Sequence, residues 1–227
     1  MELTSNTVII TGGATGIGSA LAESFLQESS EVIICGRRED KLREVKEKYP
    51  QLHIRVCDVS RESERMLLFN WVVKEFPRLN VLVNNAGIQR PLHLNQHEEW
   101  EQTRQEIAIN LEAPIHFSRL FIPHLQKQHQ PVIINVTSAL AFAPLATVPI
   151  YCATKAALHS FTLSLRQQLS KTPVKVIEII PPAVDTDLGG VGLHKFGVRV
   201  DEFVNAVMKR LAGGDLEITY GSADAVR

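Results

Sequence analysis

Tyr151 and Lys155 stand four residues apart, thirteen residues beyond Ser138. Such a set can move a proton at a carbonyl oxygen. The four-residue spacing puts Tyr151 and Lys155 on one face of a helix. A phenol ionises near pH 10 and is a poor base at neutrality. An ammonium beside it stabilises the phenolate and lowers that value, which makes the phenol a useful acid–base group. The Ser138 hydroxyl, at the end of the preceding apolar run, can donate to a substrate oxygen and hold it in place. Taken alone, Tyr-x-x-x-Lys is commonplace on solvent-facing helices. Its distance from Ser138, and the segment that opens the chain, give it weight.

That opening segment is Thr11-Gly12-Gly13-Ala14-Thr15-Gly16-Ile17-Gly18, between an apolar run and an amphipathic one. Gly12 permits a tight turn, Gly16 lets the backbone approach a pyrophosphate, and Gly18 lets the helix pack closely on the strand. Free N–H groups and the positive end of the helix dipole then favour an anion, with Ala14, Thr15 and Ile17 completing the cradle. Farther on, Ile33-Ile34-Cys35 leads into Gly36-Arg37-Arg38. An NAD enzyme usually carries an acidic residue at this strand end to hold the ribose hydroxyls. Here a glycine and two arginines stand instead, and a guanidinium can clamp a 2′-phosphate and stack on adenine. A charge-assisted hydrogen bond is worth about 1.5–3 kcal/mol, which decides cofactor choice by roughly ten- to a hundredfold. The expected cofactor is NADP(H) in preference to NAD(H), held at this end by Arg37 and Arg38. The bland alternative is that both arginines simply face solvent.

The elements that must position these groups are legible as alternating periodicities. Apolar runs at Thr7–Thr11, Glu31–Cys35, His53–Cys57, Val81–Asn84, Val132–Thr137 and Lys175–Ile180, and a weaker one at Glu217–Tyr220, have the length of strands. The first six are continuously apolar, which suits a parallel sheet covered on both faces. Between them lie helical patterns at Ile17–Gln27, Asp40–Lys48, Ser63–Glu75, Glu98–Asn110, Pro114–Gln126 and Ile150–Leu169. Pro114 suits the first turn of its helix, whereas Pro123 should bend or end it. Gly189–Val200 lacks periodicity and reads as a loop or short mobile helix, a lid over the site. The expected fold is α/β: a doubly wound (Rossmann) parallel sheet of about seven strands, with residues 1–227 as one domain.

Here the chain resembles the short-chain dehydrogenase/reductase family. Its first-turn motif T-G-x-x-x-G-x-G is matched by Thr11–Gly18, its N-N-A-G motif by Asn84-Asn85-Ala86-Gly87, and its Ser, Tyr and Lys by Ser138, Tyr151 and Lys155. The strings around Cys35-Gly36-Arg37, Asn80–Gln89 and Pro181–Thr186 are similar to the DltE-like oxidoreductase branch, that of D-alanyl-lipoteichoic acid operons. The resemblance implies that Asn110 holds a water linking Lys155 to solvent. It also implies that Asp58 and Val59 form an adenine-binding pair, that Asn85, Ala86 and Gly87 line the ribose site, and that Val184 and Thr186 meet the nicotinamide carboxamide. The chain departs from the family in one place. Pro182 stands where the family usually has Gly, and proline fixes φ near −65°. The family also implies a homodimer or homotetramer built on the helices Pro114–Gln126 and Ile150–Leu169.

Composition narrows the remaining classes. The 227 residues carry a net charge of −1, so no global field points to nucleic acid or an anionic membrane. No apolar run is long enough to span a bilayer, and the first residues have no signal-peptide pattern. Cys35, Cys57 and Cys152 read as buried reduced thiols, which suits a cytoplasmic location. His93 and His97 have a metal-like spacing but lack a third ligand nearby, so no metal is expected. The Asn135-Val136-Thr137 sequon falls at the end of a buried strand and reads as chance.

The reading is an NADP(H)-dependent reductase or dehydrogenase acting on a small carbonyl or alcohol. Its pocket would be lined by Leu140, Phe142, Leu145, Val191, Leu193 and Phe196. The rivals are a sensor or scaffold that binds NADP(H) without useful turnover, and a dehydratase or epimerase on the same sheet.

Overall fold

Alternate residues of the first strand face opposite ways into two apolar layers. This is seen in the computed structural model of the protein, which describes residues 1–95 and 99–226. The elements are β1 Thr7–Thr11, α1 Gly16–Gln27, β2 Glu31–Gly36, α2 Glu39–Lys48, β3 His53–Val56, α3 Glu62–Glu75, β4 Val81–Asn84 and α4 Trp100–Ile107. A π-helical turn at Ala108–Glu112 follows, then α5 Ala113–Leu125, β5 Val132–Val136, α6 Pro149–Gln168, β6 Lys175–Ile180, α7 Val200–Gly213, β7 Glu217–Thr219 and α8 Ser222–Val226.

The seven strands form one parallel sheet in the order β3-β2-β1-β4-β5-β6-β7. Val8 and Ile10 pack with Leu21 and Phe25 of α1 and with Phe203, Val207 and Leu211 of α7. Ile9 packs with Leu68 and Val72 of α3 and with Phe117 and Phe121 of α5. Burial on both faces is why these strands read as unbroken apolar runs. The strand order turns between β1 and β4, and ligands of such sheets sit at that crevice beyond the carboxyl ends of the strands.

The structure corrects the sequence reading in three places. The third strand is not covered on both faces: β3 is an edge, and Val56 is 49% exposed. A four-residue edge leaves little unpaired backbone. The helices expected at Glu98–Asn110 and Pro114–Gln126 form one continuous rod, with the π-helical turn between them. Pro114 lacks the N–H that would return to the Asn110 carbonyl, and its ring would clash there in a regular α-helix. A widened turn relieves both problems. Pro123 lies inside α5, which ends two residues later at Leu125. Finally, α7 occupies a stretch assigned no helix. Its signal was present: Phe203, Val204, Val207, Met208 and Leu211 recur on one face, and Gly214 closes the helix at φ +89°.

Candidate active site

The β1–α1 turn has the form an anion cradle needs. Gly12 adopts φ +65°, and a β-carbon there would stand 2.8 Å from Ala86 Cα. A β-carbon on Gly18 would lie 2.4 Å from both Asn85 Nδ2 and the Gly12 carbonyl oxygen, so the helix sits on the turn with no space between. Thr15 precedes α1 without capping it through its side chain, and the first turn carries no acidic residue. The N–H groups of Gly16, Ile17 and Gly18 therefore head a helix with an uncompensated positive end. Arg38 reaches back to this turn, donating to Thr15 Oγ1 at 3.2 Å. Arg37 is exposed beside it.

The asparagines after β4 brace the cradle. Asn85 Nδ2 donates to the carbonyls of Thr11 and Gly12 at 2.9 and 3.2 Å, while the Asn85 and Ala86 N–H groups share Thr11 Oγ1. Asn84 donates to Asn135 Oδ1 at 2.8 Å, and Asn135 donates to Thr162, a buried amide ladder across β4, β5 and α6. This full burial of Asn135 accords with reading the sequon as chance. Asp58 caps its own turn through Ser60 at 2.7 Å, and buried Val59 offers its carbonyl to Arg65.

Ser138, Tyr151, Lys155 and Asn110 come together at the carboxyl end of β5. Tyr151 and Lys155 share a face of α6, with the ammonium 5.6 Å from the phenol ring centroid. Lys155 Nζ donates to the Val136 carbonyl at 2.8 Å. Asn110, in the π-helical turn, clamps Ile88 from both sides: its Oδ1 accepts from Ile88 N–H at 2.9 Å, and its Nδ2 donates to Ile88 O at 2.8 Å. A β-carbon on Gly87 would come within 3.5 Å of Asn110 Oδ1 and 3.7 Å of Lys155 Nζ. That loop therefore joins the two residues.

Burial dominates the electrostatics. It pushes the Tyr151 hydroxyl well above its ordinary value, opposed by a hydrogen bond from Ser138; the negative forms of Cys152 and Glu106 push it further up. The expected lowering of Tyr151 is thus not the balance here; the Lys155 ammonium gives one of its three donors to Val136. Burial brings Lys155 down from 10.5 to about 8. Between those values the unfolded chain holds a proton that the folded chain lacks, so stability rises with pH across the window. Below it the full cost of burying the ammonium is present. Lys155→Met should therefore be more stable than the parent at about pH 7, by about 1–2 kcal/mol after the orphaned Val136 carbonyl is set against the gain. Urea unfolding should show the gap closing above about pH 8. A less stable variant at neutrality would mean the ammonium is a net asset to the fold.

The other expected residues fall as follows. Val184 is buried and bridges to Val198. A β-carbon on Gly16 would stand 3.2 Å from Thr186 Cγ2, so Thr186 closes on the glycine turn although Pro182 precedes it. Leu140 and Leu145 line a cavity of about 500 Å³ with Pro149, Cys152 and Ala156. Phe142 instead packs edge-on against His159, and Val191 and Phe196 point to solvent, 87% and 78% exposed. All three cysteines are buried and unpaired as disulfides. Cys152 Sγ accepts from Leu145 N–H. His97 lies outside the described residues. Two buried carboxyls escaped the sequence reading. Glu178 is held by Thr137 at 2.7 Å and His159 at 2.9 Å, and Glu106 is buried with no partner at Oε1.

This geometry can be set beside known proteins. A family model described as short chain dehydrogenase matches residues 6–192. The chain is 49% identical over 233 residues to the uncharacterized oxidoreductase DltE of Bacillus subtilis, covering 100% of this chain and 92% of that protein. It is 32% identical to an uncharacterized oxidoreductase of Staphylococcus epidermidis, covering 79% and 78%. Among solved structures, a short chain dehydrogenase from Burkholderia cenocepacia in complex with NADP superposes with a TM-score of 0.87 at 26% identity, covering 100% and 92%. A short chain dehydrogenase/reductase from Burkholderia phymatum in complex with NAD gives 0.88 at 19% identity, covering 96% and 90%. The chain belongs to the short-chain dehydrogenase family.

Proposed function

We propose that the protein is an NADP(H)-dependent oxidoreductase that interconverts a carbonyl compound and its secondary alcohol. The observation that carries this is the placement of Tyr151, Ser138, Lys155 and Asn110 at one end of a sheet whose first turn forms an anion cradle. The nicotinamide, when bound, supplies or takes up the hydride at the reacting carbon. The residues do the rest. Ser138 donates to the substrate oxygen and fixes it beside the phenol. In reduction Tyr151 gives its proton to that oxygen as negative charge develops there, and the buried ammonium of Lys155 stabilises the phenolate left behind. Asn110 holds the Ile88 loop against Lys155 and keeps a path for the proton's replacement. Burial keeps the Tyr151 hydroxyl protonated, the form that reduction uses.

The dinucleotide fits the residues present: Gly12 and Gly18 leave no room for a side chain, the head of α1 is uncapped, and Arg38 stands at Thr15. Solved relatives bind either NADP or NAD, so the preference rests on the arginines. Arg38→Ala should weaken NADPH about ten- to a hundredfold and leave NADH within about threefold, with Arg37→Ala in the same direction. Fluorescence titration with both cofactors tests this; equal losses for both would remove the 2′-phosphate assignment. The substrate is a small carbonyl or alcohol with an apolar body, to suit the cavity at Leu140 and Leu145. A homodimer or homotetramer on α5 and α6, a cytoplasmic setting and a single domain over residues 1–227 complete the proposal. No helix among the described residues is long and apolar enough to cross a membrane. Cofactor consumption tests the reading against its rivals. A reductase consumes NADPH mole for mole with alcohol formed, an epimerase or dehydratase regenerates it, and a sensor leaves it unchanged.

A further inference from the structure

Arg65 is the bulkiest fully buried side chain among the described residues, at 1% exposure. It lies on the stripe of α3 that carries Leu68 and Val72 into the apolar layer around Ile9. An apolar side chain could fill this place without penalty, since a buried ion pair adds little to net stability. What the guanidinium adds is a junction between elements. Nη1 donates to the Val59 carbonyl at 2.7 Å, Nε to His116 Nδ1 of α5 at 2.9 Å, and Nη2 to Glu112 Oε1 of the π-helical turn at 2.6 Å. A planar fork fixes all three directions at once, which the point charge of a lysine does not.

Val59 belongs to the turn 57–61, beyond the carboxyl end of β3. Cys57 N–H donates to the Gly36 carbonyl at 3.0 Å, so this turn starts beside the strand end that leads into Arg37 and Arg38. In sheets of this order the adenine half of a dinucleotide lies beyond these strand ends. Two consecutive residues of α3 grip the turn. Glu64 accepts from the Asp58 N–H at 2.6 Å, and Arg65 donates to the Val59 carbonyl. The Glu64 contact ties the turn only to its own helix. The Arg65 contacts tie it to the rod across the layer, at Glu112, two residues past Asn110, which itself clamps Ile88.

We propose that Arg65 is a positioning residue for the adenine half of the cofactor: its guanidinium sets the 57–61 turn against the π-helical turn, and so fixes the surface that meets adenine relative to the end that meets nicotinamide. This rests on the dinucleotide reading given above. Without the guanidinium, Val59, His116 and Glu112 lose their donor together, and α3 holds the turn through Glu64 alone. Adenine contacts are made equally in the ground state and the transition state. Their loss therefore raises KM for NADPH and leaves kcat in place.

The test uses Arg65→Met, which keeps much of the bulk and removes every donor, with Arg65→Lys as the conservative variant. Glu112→Ala cuts the tie to the π-helical turn at a side chain that is 58% exposed, so it leaves the core closed and decides the matter if Arg65→Met does not fold. The probes are the two halves of the cofactor: adenosine 2′,5′-bisphosphate, titrated by calorimetry, and reduced nicotinamide mononucleotide, titrated by NMR. Arg65→Met should weaken the bisphosphate and NADPH about tenfold and leave the nicotinamide half within about twofold. Arg65→Lys should recover part of the loss, and Glu112→Ala should weaken the bisphosphate about threefold with the same selectivity. In turnover, KM for NADPH should rise about tenfold in Arg65→Met while kcat stays within about twofold. Equal losses for both halves would mean that Arg65 only supports the fold, and would overturn the proposal. So would a bisphosphate affinity unmoved in Arg65→Met, or in Glu112→Ala where that variant decides. Binding needs no turnover: a protein that binds the bisphosphate but reduces no carbonyl counts against the reductase, and the affinity ratio still decides Arg65. A parent that binds neither NADPH nor the bisphosphate overturns both.

Discussion

Tyr151→Phe should lower kcat by about a hundred- to ten-thousandfold, the span that one positioned acid–base group supplies. NADPH affinity should stay within about threefold, since the ring still fills its place and only the hydroxyl is removed. The argument is local. Tyr151 is 6% exposed, so water has little access to replace the lost proton donor. Ser138 remains to orient the substrate oxygen but keeps its proton, because a serine hydroxyl is a far weaker acid than a phenol. Lys155 cannot take over either, as its ammonium is directed at Val136. KM should change less than kcat, because the hydroxyl matters most when charge develops on the substrate oxygen. Steady-state kinetics beside cofactor titration checks both halves. Full activity in the variant would remove Tyr151 from the chemistry.

Gly18→Ala should be the most damaging single-methyl change in the cradle. The added carbon would meet Asn85 Nδ2 and the Gly12 carbonyl oxygen at 2.4 Å, closer than real β-carbons approach anything. The carbonyl belongs to a turn already at φ +65°, and Asn85 is tied to Thr11 and Gly12, so neither neighbour yields cheaply. Helix α1 must lift off the turn. Overpacking of this kind costs about 1–3 kcal/mol, and displacement of the α1 N–H groups should weaken NADPH by about a hundredfold or more. Ser19→Ala, one residue on, adds no such clash and should change little. Thermal unfolding with and without NADPH measures both effects. A Gly18→Ala variant that binds NADPH like the parent would contradict the close packing.

The cradle was legible in the sequence because each of its glycines is demanded by geometry. So were the central strands, whose burial on both faces leaves no alternation to misread. Other features depend on relations between elements. Pro114 suits a helix start as well as it suits a π-helical turn, and only the packing of α4 against α6 decides between them. The partner of Lys155 depends on the rotation of α6 about its axis, which spacing alone does not set. Glu106 sits in Trp100-Glu101-Gln102-Thr103-Arg104-Gln105-Glu106-Ile107, a polar stretch in which a glutamate reads as part of a solvated face. The segment that bears Val191 and Phe196 looked like pocket lining because it is apolar, yet the structure turns both outward.

The central claim is hydride transfer to a carbonyl carbon with Tyr151 as the proton donor. The most direct measurement follows deuterium from NADPH labelled at nicotinamide C4, across a panel of ketones, aldehydes and quinones, with NADH in parallel and Tyr151→Phe as the blank. The account predicts an alcohol carrying one deuterium at the carbinol carbon, formed faster with NADPH than with NADH and lost in the variant. Tight NADPH binding with no label transferred to any carbonyl, or transfer undiminished in Tyr151→Phe, would contradict it.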